Sequence, residues 1–201
     1  MGQIPIYLNS EQIRILIVGG GKIAYRKCRT LVEAGGQVTV IAQQLLPEFE
    51  HYLTEQQIPL HKRLYELGEA AQYELVIAAT NQTTVNEQIQ QDSQAIICRV
   101  DDAKKGNGVL PAVVQRGDFV LSIGTNGASP IFSRKIKKQL SQQFDAHYES
   151  YIAFLQHVRV QYKGQKEVLE EVTNEIYVHM TGEERNETLQ QFVNNLFEER
   201  N

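Results

Sequence analysis

The chain has 201 residues, enough for one domain with an appendage or for two small domains. An apolar content of 42% and a charged content of 22% exclude collagen-like, disordered and coiled-coil classes, and a net charge of −4 gives no overall attraction to nucleic acid or an anionic membrane surface. Any anionic ligand must be held locally. Two cysteines, Cys28 and Cys98, are too few for a disulfide framework or a thiolate metal site, so a cytoplasmic setting is expected. No run approaches the roughly 18 apolar residues of a membrane span. The start, Met1-Gly2-Gln3-Ile4-Pro5-Ile6, has neither a basic signal-peptide region nor the hydroxyl residue of a myristoylation site.

The first informative stretch is Ile15-Leu16-Ile17-Val18-Gly19-Gly20-Gly21-Lys22-Ile23-Ala24, an apolar run that breaks into glycines and then into helical periodicity. It predicts strand, tight turn and helix. The glycines permit positive φ and close approach by a ligand, and the helix N-terminus offers free N–H groups to an anion. The spacing Gly19-x-Gly21-x-x-Ala24 fits the dinucleotide fingerprint. Ala24, Cys28 and Leu31 form the buried stripe of the helix, Gly35-Gly36 closes it, and Val38-Thr39-Val40-Ile41-Ala42 is the next strand. Where such folds usually carry an acid for the ribose hydroxyls, this chain has Gln43 and Gln44. Either amide can bind a diol, and with no Arg or Lys there NAD is favoured over NADP.

Further along, the pattern predicts a helix over 47–57, a short strand over 60–64 and a fully buried strand Leu75-Val76-Ile77-Ala78-Ala79. Thr80 and Asn81 follow at the carboxyl end, where they would touch a cofactor, cap the helix over 82–92, or do both. Ala95-Ile96-Ile97-Cys98-Arg99-Val100 is the next strand and ends at Asp101-Asp102, placing an acid at the cleft edge. Two apolar runs joined by Arg116-Gly117-Asp118 predict a hairpin, and a boundary is expected near Gly108. The turn Gly124-Thr125-Asn126-Gly127-Ala128 leads to Ser129-Pro130, a cap hydroxyl followed by proline at the first helical position. The long helix expected from there carries Arg134, Lys135, Lys137 and Lys138, readable as a solvated basic face or as an anion patch. Helical pattern continues past Phe144 through Tyr148, Tyr151, Leu155, Val158 and Tyr162, an aromatic stripe expected to pack on a partner subunit or on the last helices. One further helix is expected over 167–180, and another opens with a capping box at Thr181 and Glu184. The histidines at 51, 61, 147, 157 and 179 show no paired ligand spacing, so no metal site is expected.

Taken in order, these motifs resemble the precorrin-2 dehydrogenase family, which is also the N-terminal module of siroheme synthase. The resemblance rests on Pro5-Ile6-Tyr7-Leu8, on Val18-Gly19-Gly20-Gly21-Lys22-Ile23-Ala24 with Arg26-Lys27, and on Glu33-Ala34-Gly35 and Val38-Thr39-Val40. It continues through Ala78-Ala79-Thr80-Asn81, Val100-Asp101-Asp102, Leu110-Pro111-Ala112, Gly127-Ala128-Ser129-Pro130 and Arg134, and fades after about Tyr162. It implies NAD-dependent oxidation of precorrin-2 to sirohydrochlorin, with iron insertion as a second activity in some members. Asp101 stands where the family has its functional aspartate, and the basic helix becomes the counterpart of a tetrapyrrole bearing eight carboxylates. Gly106-Asn107-Gly108-Val109 replaces a Cys/Ser-Asp-Phe sequence of many members, and Thr125-Asn126-Gly127 replaces a Ser-Gly-Gly.

The resulting expectation is an α/β protein. A Rossmann-like parallel sheet domain over 1–108 is followed by a hairpin-plus-helix dimerisation and substrate segment over 109–145 and a C-terminal helical domain over 146–201. The catalytic residue is Asp101. The cofactor NAD is expected on Gly19, Gly20, Gly21, Lys22, Ile23, Gln43, Gln44, Thr80 and Asn81, and the anionic tetrapyrrole substrate on Thr125, Asn126, Ser129, Arg134, Lys135 and Lys138. A homodimer is expected, with no nucleic-acid or membrane partner. The alternatives are a bifunctional dehydrogenase and ferrochelatase, a non-catalytic NAD-sensing module, and a tetrapyrrole-binding carrier.

Overall fold

In the computed structural model, which describes residues 2–198, the chain forms two compact units that divide between Leu110 and Pro111. Residue 1 and residues 199–201, the outer ends of the expected first and third segments, lie outside the described residues. The first unit runs β1 (Arg14–Val18), α1 (Lys22–Glu33), β2 (Gln37–Ile41), α2 (Pro47–Glu55), β3 (Leu60–His61), β4 (Leu75–Ala78), α3 (Thr83–Asp92) and β5 (Ile96–Arg99). Its strands form one parallel five-stranded sheet in the order β3-β2-β1-β4-β5.

Residues 15–18 of β1 and all of β4 are continuous apolar runs because both faces of the sheet are covered. Alternation along β1 splits its side chains between two cores. Ile15 and Ile17 pack with Ala24, Cys28 and Leu31 of α1 and with Phe49 and Leu53 of α2. Leu16 and Val18 face the other way, joining Val76, Ala78, Ile89 and Ile97. All three residues of the stripe foreseen on α1 are buried, at 0%, 0% and 7% exposure. This is a Rossmann-like α/β sheet.

The second unit contains β6 (Ala112–Arg116), β7 (Phe119–Ile123), α4 (Pro130–Gln143), α5 (His147–Gln161), α6 (Lys166–Glu171), a 3-10 turn over Glu175–His179 and α7 (Gly182–Glu198). β6 and β7 pair antiparallel as the foreseen hairpin, with Arg116 opposite Phe119. The aromatic stripe packs on the last helices: Tyr151 and Val158 of α5 share a core with Val168, Tyr177, Val178, Leu189 and Val193. Thr181 and Glu184 form the capping box reciprocally, the Thr181 N–H donating to Glu184 Oε2 at 2.7 Å and the Glu184 N–H to Thr181 Oγ1 at 3.3 Å. Among the described residues no helix is long and apolar enough to cross a membrane.

Three expected elements are corrected. The helix from Pro130 does not run on: Phe144 leaves helical geometry, and the Asp145 carboxylate accepts the His147 N–H at 3.0 Å, starting α5 afresh. The helix over 167–180 ends at Glu171, because the Thr173 hydroxyl and Asn174 amide bond back to the carbonyls of Glu170 and Glu171, at 2.7 and 2.8 Å. The strand over 60–64 shrinks to Leu60–His61, since the Arg63 N–H bonds to the His61 carbonyl and its guanidinium turns to Glu69.

Candidate functional site

The chain leaves β1 through Gly19, Gly20 and Gly21. Gly19 adopts φ 130°, and a Cβ there would lie 2.3 Å from the Ala79 carbonyl oxygen; on Gly20 it would lie 2.0 Å from that of Gln44. Backbone beyond β4 and beyond β2 thus closes on the turn from both sides, and a side chain fits at neither position. Gly21 differs, because nothing lies within 4 Å of a Cβ built on it. It is the N-cap residue of α1, whose first turn no side chain caps, so the N–H end of the helix faces open space. Lys22 is exposed there, and Ile23 keeps 44% of its surface in solvent. Space beside Gly21 and uncapped helical N–H groups fit a diphosphate.

Gln43 and Gln44 are exposed just beyond β2. Thr80 follows β4, and together with the glycine turn these residues lie at the carboxyl ends of β2, β1 and β4. The strand order reverses between β1 and β4, which is where open parallel sheets bind ligands.

The capping role considered for Thr80 and Asn81 is corrected. The N-cap of α3 is Gln82, without a side-chain cap bond. The Thr80 hydroxyl accepts the Gln82 N–H at 3.2 Å and donates to Asn86 Oδ1 at 2.7 Å, while Asn81 is exposed. Asn86 is fully buried and donates back to the Thr80 carbonyl at 3.2 Å, so this amide fixes the turn. Sequence reading passed over it; the available signal was an amide one helical turn from Ile89 on the buried face of α3.

Asp101 stands beyond the carboxyl end of β5, held bidentately by Arg99: Nε donates to Oδ1 at 3.1 Å and Nη2 to Oδ2 at 2.6 Å. The side chains of Arg99 and Asp101 are 1% and 21% exposed. The Arg99 hydrogen bonds, helped by one from Asn86 and opposed by burial, hold the Asp101 carboxyl down to about 2, so it is ionised at neutral pH. Arg99 also donates to Gln90 at 3.0 Å. It too was missed, its signal being a guanidinium two residues from an acid, on the same side of an otherwise apolar strand.

The remaining candidates belong to the second unit. Ser129 caps α4, accepting the Phe132 N–H at 3.1 Å, and Pro130 follows at the first helical position. Thr125 Oγ1 accepts the Ser129 N–H at 3.2 Å, and Asn126 takes a positive φ of 50°. Arg134, Lys135, Lys137 and Lys138 are all exposed and form no ion pair among the described residues. The same unit brings together Asp145, His147 and His179, a grouping that spacing along the chain does not reveal.

Comparison with known proteins agrees with the fold of the chain. A family model described as "Putative NAD(P)-binding" matches residues 6–112. A precorrin-2 dehydrogenase of Bacillus subtilis is 30% identical over 159 residues, covering 78% of this chain and 98% of that protein. A siroheme synthase 2 of Klebsiella pneumoniae is 30% identical over 168 residues, covering 82% of this chain but 37% of that longer protein. Among solved structures, "SirC, precorrin-2 dehydrogenase" superposes with a TM-score of 0.76 at 27% identity, covering 94% of this chain and 98% of that one.

Proposed function

The chain belongs to the precorrin-2 dehydrogenase family, and from that premise we propose that it oxidises precorrin-2 to sirohydrochlorin with NAD. The observation that carries the reading is the Asp101 carboxylate held by Arg99 beyond β5, beside β4, the strand that Thr80 follows. The oxidation removes a hydride and a proton from the macrocycle. NAD, when bound, supplies the hydride acceptor.

Gly19, Gly20 and Gly21 with the N–H groups of Lys22 and Ile23 would hold its diphosphate, Gln43 or Gln44 its ribose diol, and Thr80 and Asn81 the far side. The open space at Gly21 supports this assignment. A carboxylate held at about 2 is a weak base for a neutral carbon acid. Hydride loss, however, leaves a cationic macrocycle that gives up its proton readily, so a fixed anion both steadies that charge and accepts the proton. Arg134, Lys135 and Lys138, without counter-ions among the described residues, would meet the substrate carboxylates, with Thr125, Asn126 and Ser129 shaping the turn beside them.

The same reading makes the chain a cytoplasmic homodimer that assembles through residues 109–145, with residues 146–201 as a helical domain. The exposed Val109, Ile131 and Phe132, at 49%, 73% and 52%, support such a contact, and free, buried Cys28 and Cys98 suit a reducing compartment. The test is anaerobic incubation with precorrin-2 and NAD, followed by NADH absorbance and the sirohydrochlorin spectrum. Both appear in step if the reading holds, and neither appears if it is wrong. Gly21→Ala, which meets no atom, should leave unfolding unchanged and weaken NAD by about tenfold, or ~1.4 kcal/mol.

A further inference from the structure

Asp145 lies in the break between α4 and α5, His147 is the first residue of α5, and His179 ends the 3-10 turn that precedes α7. Each offers one ligand atom within 4.8 Å of the other two. Asp145 Oδ1 sits 3.2 Å from His147 Nδ1, and the two imidazoles stand edge to face with centroids 5.3 Å apart. From this juxtaposition we propose that Asp145, His147 and His179, none of them assigned to the dinucleotide or the tetrapyrrole, bind one divalent first-row transition ion.

The donor set sets the ion class. Two imidazole nitrogens and one carboxylate suit zinc, cobalt, nickel or ferrous iron, whereas magnesium and calcium want oxygen donors throughout. Three protein ligands leave at least one position for water. Ligand bonds of about 2.0–2.1 Å place tetrahedral donors roughly 3.3 Å apart; Asp145 Oδ1 and His147 Nδ1 already stand at 3.2 Å, and the His179 donor, within 4.8 Å of both partners, has at most an ångström or so to close. The His147 and Asp145 side chains, 59% and 43% exposed, can do this by rotation without disturbing the core.

The backbone beneath them is already fixed. Buried Arg185 donates to the carbonyls of Tyr177 and Val178 at 2.7 and 2.8 Å and to the Ser150 hydroxyl at 3.1 Å, locking the 3-10 turn against the first turn of α5. Tyr151, Tyr177 and Val178 complete the packing in one core. His147 and His179 thus stand on two braced elements, and an ion bound to both would staple one to the other. An ion that binds only the folded unit raises its stability by mass action.

The test uses the full chain freed of metal with a chelator and titrated with zinc, and in parallel with cobalt, followed by calorimetry, visible absorption and thermal unfolding. One equivalent should bind with micromolar affinity, raise the unfolding midpoint and, for cobalt, give the visible bands of a low-coordinate nitrogen and oxygen site; magnesium should do none of these. His147→Ala and His179→Ala should each weaken zinc by about a hundredfold, the upper end of what even outer-shell changes cost. His51→Ala, which removes the exposed imidazole paired with Glu55, should leave binding unchanged. Failure of zinc and cobalt to bind the parent chain, or binding that persists in the doubly substituted His147→Ala, His179→Ala chain, overturns the proposal. Circular dichroism on each variant separates lost ligands from lost fold.

Discussion

Arg99 in the first unit and Arg185 in the second are both buried, at 4% and 2% exposure, yet their charges are met by different means. Arg99 closes on the Asp101 carboxylate with two hydrogen bonds. Arg185 forms no ion pair among the described residues. Its guanidinium is satisfied by two carbonyls and a hydroxyl and lies over the rings of Tyr151 and Phe154, 5.6 and 5.9 Å from their centroids. Burial lowers the Arg185 pKa, whereas the Asp101 hydrogen bonds raise that of Arg99. A buried cation can thus serve as a structural cross-link through dipoles and π faces alone. Giving it a carboxylate at a strand end instead creates a fixed, ionised acid whose remaining exposure is available to a ligand.

The largest expected effect tests the functional half of that contrast. Asp101→Ala should lower turnover by about 10²–10⁴-fold, the range of a lost proton-transfer group, while NAD titration by fluorescence stays close to the parent value. Retained turnover would remove Asp101 from the chemistry. Next comes the structural half: Arg185→Met leaves the carbonyls of Tyr177 and Val178 without their donor and should cost about 3 kcal/mol, read as a lower urea midpoint. Arg185→Lys should recover less than half, because an ammonium cannot span the same acceptors.

Arg99→Met should have the smallest effect on stability, about 1–2 kcal/mol, since Asp101 keeps access to water. It should instead change pH behaviour. In the parent chain the Asp101 carboxyl is depressed from 3.8 to about 2, so its contribution to stability is complete above the unfolded value and is lost as pH falls from near 4 towards 2. Without Arg99 that loss should shrink and the acid limb of the rate profile should move upward. An unchanged acid limb would show that Arg99 does not set the state of Asp101.

What could be read from the sequence was local. The Gly19–Gly21 turn, the Ala24, Cys28 and Leu31 stripe, the Ser129 cap and the Thr181 and Glu184 box each depend on residues within a few positions of one another, and each stands as expected. Asn86 was missed because its meaning comes from Thr80 on the preceding loop, and Arg99 because the neighbouring acid drew the reading. The breaks at Phe144 and after Glu171 follow from side-chain bonds to backbone that compete with helical periodicity without disturbing it. The grouping of Asp145, His147 and His179 depends on the 3-10 turn folding back onto α5, which no pattern of spacing encodes.

The closure of backbone on Gly19 and Gly20 also sets a clock on assembly. The Gly20 side is supplied by Gln44 and the Gly19 side by Ala79, which follows Gly19 by 60 residues (79 minus 19). At a synthesis rate of ~5–20 residues per second, the glycine segment waits roughly 3–12 s after it is made before its second wall exists. A nascent chain stalled short of Ala79 carries the glycines without the second wall of their cradle.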